Sequence, residues 1–121
     1  MPEVLEELNI LAENALNAGV KEENIILDPG IGFGKTVEQN LALINRLGDI
    51  KELGYPVLLG ASRKSFIGHI LDTTVDNRLE GSLATTAIGI TRGADIVRVH
   101  DVKQHALLAR MTDAIIDEMG E

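Results

Sequence analysis

The stretch "IILDPGIGFGKT", Ile25 to Thr36, joins a short apolar run to a glycine-rich loop that ends in Gly-Lys-Thr. It invites comparison with the phosphate-binding loops that follow a strand and open a helix. The Walker A spacing requires a glycine five positions before the Gly-Lys pair, and counting back from Gly34 and Lys35 reaches Pro29. The dinucleotide fingerprint also fails, because its third glycine would fall on Lys35 when counted from Gly30 and on Val37 when counted from Gly32. Asp28 argues in the same direction, since a carboxylate at the lip of the loop repels the anion that backbone N–H groups and a helix N-terminus attract. It suits a flat pair of N–H donors, such as an amino-heterocycle edge. The plainer reading of Asp-Pro-Gly is a turn after a strand, and both readings stay open at this point.

Outward from the loop, Thr36 and Gln39 have capping-box spacing and open a helix with Val37, Leu41, Ile44 and Leu47 on one face. Upstream, Val4, Leu8, Leu11, Ala12 and Ala15 recur at helical spacing and Gly19 supplies a stop, so a helix precedes a short strand at Ile25 to Leu27. The strand–loop–helix order recurs twice. "PVLLG" (Pro56 to Gly60) leads through a longer loop to a helix starting near Asn77 or Arg78, with Leu83, Ala84, Ala87 and Ile88 apolar. "DIVRV" (Asp95 to Val99) leads to a last helix bearing Leu108, Met111, Ile115 and Met119, with Asp101 and Gln104 spaced as a second capping box.

One helix followed by three strand–helix units implies parallel strands with crossover helices, an α/β architecture in a single domain over residues 1–121. Three parallel strands leave two unpaired edges and an uncovered sheet face, whereas a closed (β/α)8 barrel takes about 250 residues. The chain therefore reads as part of a barrel.

The 121 residues are 45% hydrophobic and 25% charged, the profile of one globular domain. A formal charge of −8 argues against nucleic acid as a partner, because that affinity rests on Lys and Arg displacing counterions. No cysteine occurs, so disulfides and thiolate metal sites are excluded. No apolar run approaches the ~20 residues of a membrane span. The opening "MPEVLEELNI" lacks the basic start and apolar stretch of a signal peptide, so a cytoplasmic location is expected.

Polar residues gather at the carboxyl end of each strand: Asp28 after the first, Ser62, Arg63 and Lys64 after the second, Arg98 and His100 on the third. Ligands in α/β folds sit at that rim. Ile96, Arg98 and His100 alternate with Val97 and Val99 and share one face. An Arg buried in such a strand requires an anionic partner. His69 and His105 read as surface residues and Asp101 as a helix cap. The combined site offers one carboxylate for an N–H-rich flat head, with Lys64, Arg63, Arg98 and His100 for anionic oxygens. Gly30, Gly32 and Gly34 let backbone approach the ligand closely.

The motifs "LDPGIGFGKT", "GASRKSFIG" and "RVHDV", in this order and at these separations, resemble the dihydropteroate synthase family of folate biosynthesis. The resemblance covers the chain and places it on the C-terminal half of that family's (β/α)8 barrel. It implies a pterin-binding domain and the condensation of 6-hydroxymethyl-7,8-dihydropterin pyrophosphate with p-aminobenzoate. Pyrophosphate leaves, Mg²⁺ assists with its ligand supplied by the N-terminal half, and sulfonamides inhibit. Carried over by position, Asp28 and Lys64 bind pterin, and Arg98 and His100 bind pyrophosphate. Phe33, Ser62 and Lys64 border p-aminobenzoate, Arg63 supports either site, and Lys64, Arg98 and His100 are the catalytic set. No covalent intermediate is implied. A non-catalytic half-barrel fragment and a pterin-binding methyltransferase-related domain are the alternatives. The uncovered sheet face implies a homodimer or association with a complementary half-barrel.

Overall fold

A computed structural model describes residues 1–120, with side chains as far as Glu118. Helix α1 (Pro2–Asn17) begins with a proline in its first turn, where a missing N–H costs nothing, and stops just before Gly19. It buries Leu8 and Ala12. Leu11, expected on the same face, is instead 62% exposed and borders an apolar groove with Ile26.

The sheet is parallel and short. Strand β1 (Leu58–Leu59) pairs with β2 (Ile96–Val97), Leu58 opposite Ile96 and Leu59 opposite Val97. The strand expected at Ile25 to Leu27 contracts to one parallel bridge between Leu27 and Val57, because the chain turns directly after it, Asp28 accepting the Gly30 N–H. Leu27 N–H donates to the Pro56 carbonyl at 2.9 Å and Leu58 N–H to the Leu27 carbonyl at 2.8 Å. The three rows therefore lie in chain order.

Side chains alternate across these rows. Leu27, Val57 and Leu59 face the helices and are at most 4% exposed, whereas Ile26 and Ile96, on the other face, are 51% and 38% exposed. The core accordingly lies on one side of the sheet only. It is completed by Leu43 and Ile44 of α2 (Val37–Asn45), Leu47 and Ile50 of α3 (Leu47–Lys51), and Phe66 and Ile67 of α4 (Ser65–Leu71). The capping box holds: Thr36 Oγ1 accepts the Gln39 N–H at 3.1 Å and Gln39 Oε1 accepts the Thr36 N–H at 2.9 Å. Leu41, expected on the buried stripe, is 42% exposed, its place taken by Leu43.

Helix α5 (Leu79–Thr91) departs from its expected face. It buries Ser82, Thr86 and Gly89 and leaves Ile88 exposed. The small face lets the helix come down on the sheet: a Cβ at Gly89 would lie 2.2 Å from Leu59 Cδ2. Helix α6 (Val102–Gly120) packs chiefly on α5. His105, expected at the surface, is buried at 2% exposure, its Nδ1 donating to the Asp101 carbonyl at 2.8 Å. Met111 and Ile115, expected on the buried stripe, are exposed instead. Met119 lies outside the described side chains.

Candidate functional site

The glycine loop is held from within. Lys35, which gives the loop its likeness to a phosphate cradle, donates to the carbonyls of Gly30 at 2.9 Å and Phe33 at 3.2 Å. Its ammonium is thereby committed to the loop's own backbone. Asp28 is exposed, and its Oδ1 accepts the Gly30 N–H at 2.8 Å. The turn reading is thus present, and the second carboxylate oxygen remains for a ligand donor. Asn40, buried in α2, accepts the Gly32 N–H at 2.9 Å.

Lys64 ties this loop to the next one. Its Nζ donates to the Ile31 carbonyl at 2.9 Å and stands 4.3 Å from the centre of the exposed Phe33 ring, a cation–π distance. Its stem crosses Gly32, where a Cβ would lie 3.0 Å from Lys64 Cδ. With φ at +87°, that position requires glycine for two separate reasons.

Ser62 and Arg63 join the second loop to the third. Ser62 Oγ lies 3.0 Å from His100 Nδ1 and accepts the His100 N–H at 3.3 Å. One residue on, Arg63 donates to Asp101, Nη2 to Oδ1 at 2.8 Å and Nε to Oδ2 at 3.3 Å. Both rungs span 38 residues of sequence. Arg63 takes the left-handed conformation, φ +57°, unusual for a residue with a side chain. Its N–H is accepted by the fully buried Ser82, and its carbonyl accepts from Arg78 Nη1 at 3.0 Å. The guanidinium of Arg63 holds the Asp101 carboxyl below its ordinary range, chiefly through the hydrogen bond. Asp101 stands just before α6, but its carboxylate goes to Arg63 rather than to a capping box with Gln104.

Gly60, Ser62, Lys64, Arg98, Val99 and His100 line one cavity of about 290 Å³ at the carboxyl ends of the strands. Lys64, Arg98 and His100 are thus brought together as expected. Arg98 is exposed, not buried, because the face it stands on is uncovered, and no carboxylate pairs with it among the described residues. Its guanidinium lies against Gly60, where a Cβ would sit 3.1 Å from Nη2. Ser62, expected to border p-aminobenzoate, is 4% exposed with its hydroxyl turned to His100. Asp28 does not line this cavity; it stands at the end of the groove bordered by Leu11 and Ile26. The sequence reading missed Asn40 and Ser82, polar residues on helices whose spacing carries no signal beyond a break in an apolar face, and saw in Arg78, which stands just before α5, only a helix start. Among the described residues no group of three or more His, Cys, Asp or Glu side chains converges as metal ligands.

Residues 1–100 match the family described as pterin binding enzyme. The chain is 58% identical over 117 residues to the dihydropteroate synthase of Clostridium beijerinckii, covering 96% of this chain and 44% of that protein. It superposes with TM-score 0.88 and 52% identity on a crystal structure of dihydropteroate synthase from Clostridium difficile in the presence of pteroic acid, covering 93% of this chain and 44% of that one. Against Yersinia pestis dihydropteroate synthase in a sulfonamide drug complex the TM-score is 0.95 at 33% identity, covering 98% of this chain and 43% of that one. The chain thus spans less than half the length of these relatives.

Proposed function

The chain belongs to the pterin binding enzyme family, and from that premise we propose that it acts as the C-terminal half of a dihydropteroate synthase. One observation carries this reading: Lys64, Arg98 and His100, from two loops on adjacent parallel strands, converge on one cavity at the strand ends. The substrates are 6-hydroxymethyl-7,8-dihydropterin pyrophosphate and p-aminobenzoate. Arg98 and His100 hold the pyrophosphate, whose negative charge grows as it departs, so their donors strengthen the transition state more than the ground state. Asp28 offers its free oxygen to the pterin's amino edge. Lys64 stands between the glycine loop and the cavity and can serve pterin and p-aminobenzoate in turn, with the Phe33 ring as a flat apolar wall. The aryl amine displaces the pyrophosphate at the exocyclic carbon, helped by positioning and electrostatics. Mg²⁺ takes its ligands from residues outside this chain.

The reading implies that the half-site is competent but incomplete. Mixing the chain with the complementary half of the Clostridium beijerinckii relative, both substrates and Mg²⁺ should restore turnover that neither half shows alone. Arg98→Ala should then abolish pyrophosphate binding at low salt, and Asp28→Asn should weaken pterin binding more than pyrophosphate binding, because an amide replaces an acceptor with a donor. No turnover from a mixture shown to associate, together with unchanged ligand affinities in both variants, would leave the non-catalytic fragment as the better reading.

A further inference from the structure

The described residues include two histidines with opposite hydrogen-bonding logic. His105 Nδ1 faces a carbonyl and must carry a proton, so in the neutral ring its buried Nε2, which has no partner, is the bare nitrogen. His100 Nδ1 faces the hydroxyl of Ser62, which can donate or accept. The buried surroundings of that hydroxyl settle its role. Ser62 Oγ already accepts the backbone N–H of His100. If Nδ1 also donated to it, the hydroxyl would accept twice and its one hydrogen would be left without an acceptor at a position only 4% exposed. A buried donor left unmade costs more than a hydrogen bond gains. If the hydroxyl donates to Nδ1, every group is satisfied.

We propose that Ser62 is a positioning residue that fixes neutral His100 as the Nε2–H tautomer, so that a donor rather than a lone pair is offered beside Lys64 and Arg98. A lone pair there would repel an anionic oxygen; an N–H binds it without needing the imidazole to be charged. The value of this donor for pyrophosphate rests on the function proposed above, whereas the tautomer itself does not.

The test is nitrogen NMR of the 121-residue chain carrying ¹⁵N-labelled histidine, in whatever assembly it forms, at pH 8, above the ordinary imidazole range. His100→Gln and His69→Gln identify the signals of those two residues and leave those of His105. His100 should show a bare Nδ1 and a protonated Nε2, and His105 the reverse, giving an internal control for both assignment and folding. In Ser62→Ala the His100 signals should move to a mixture of the two tautomers with those of His105 unchanged, while Ser62→Thr, which keeps the hydroxyl, should restore the original pattern. Pyrophosphate affinity should fall about three- to tenfold in Ser62→Ala, the equivalent of one hydrogen bond. A protonated Nδ1 in the unaltered chain, or a tautomer indifferent to Ser62→Ala while His105 reports a folded protein, would overturn the proposal. A bare Nδ1 that responds to Ser62→Ala in a chain that binds no pyrophosphate would support the tautomer assignment and sink the pyrophosphate reading of the cavity instead.

Discussion

The two faces of the sheet carry residues from the same short rows and have opposite fates. On one, Leu27, Val57 and Leu59 are sealed under helices of the same chain; on the other, Ile26 and Ile96 meet solvent, and Arg98 stands beyond them at the rim. The difference teaches that the covered face carries the stability this chain can supply, while the open face, on which the proposed function places the chemistry, depends on what is placed over it. The same alternation that hides the aliphatic residues presents Arg98.

The largest effect is expected from covering the open face. Apolar area exposed in this way favours association, so light scattering at micromolar concentration should find the chain as a homodimer or larger assembly, and Ile26→Asp with Ile96→Asp should reduce it to monomer. A compact, cooperatively folding monomer from the unaltered chain would break the comparison, since the open face would then need no cover. Next comes the sealed face. Leu59→Ala should cost ~2–5 kcal/mol in urea unfolding whatever the protein concentration, whereas the cost of Ile96→Ala should appear only at concentrations where the chain associates. Equal losses at concentrations too low for association would mean that both faces are sealed within one chain. Gly89→Ala should cost about 1–3 kcal/mol by forcing α5 off Leu59; no loss would mean that the helix can lift without disturbing the sheet.

The smallest effect concerns the ion pairs at the two ends of the rows. At the amino ends burial pushes the Asp95 carboxyl up, but hydrogen bonds from Lys51 at 2.6 Å and the Val57 N–H at 2.9 Å bring it net below its ordinary range. At the carboxyl ends Asp101 is lowered by Arg63. A carboxyl lowered on folding contributes stability above its unfolded pKa of about 3.9 and loses it as the pH falls through the folded value. Urea midpoints should therefore hold from neutrality to about pH 4 and decline below it, less steeply in Asp101→Asn. Stability that rose on acidification would show that neither pair contributes.

The parts of this architecture that repeat in sequence were readable from it. Thr36 and Gln39 form their box because the spacing leaves the two side chains few other partners, and Gly19 ends α1 where the apolar period ends. The rim residues were legible because strand ends are places where polar side chains interrupt apolar runs. Helix α4, at seven residues, is too short to show a period and reads as loop in the sequence. The buried face of α5 is illegible there because it is built of Ser82, Thr86 and Gly89, whose small size rather than apolarity makes the contact. His105 reads as exposed since nothing in the sequence says that a carbonyl one turn back accepts its N–H. The apolar run around Arg98 reads as a buried strand, but the face on which Arg98 stands is uncovered. Asp101 stands where a cap should, but a guanidinium from a loop 38 residues earlier takes its oxygens.

The paired rungs between Ser62–Arg63 and His100–Asp101 set a rule for loop surgery. Because consecutive residues on one loop grip consecutive residues on the other, each loop is measured against its neighbour as well as against its own strand. A single residue inserted between Gly60 and Ser62 would slide both rungs out of step together, and the left-handed turn at Arg63 would fall on a different side chain. Insertions after Asp72, beyond the short helix and away from the rungs, face no such gauge. Lengthening the first segment by one residue should thus do more harm than lengthening the second by several, and libraries meant to retune this rim are best varied in side chain with the spacing of the two loops that carry the rungs left untouched.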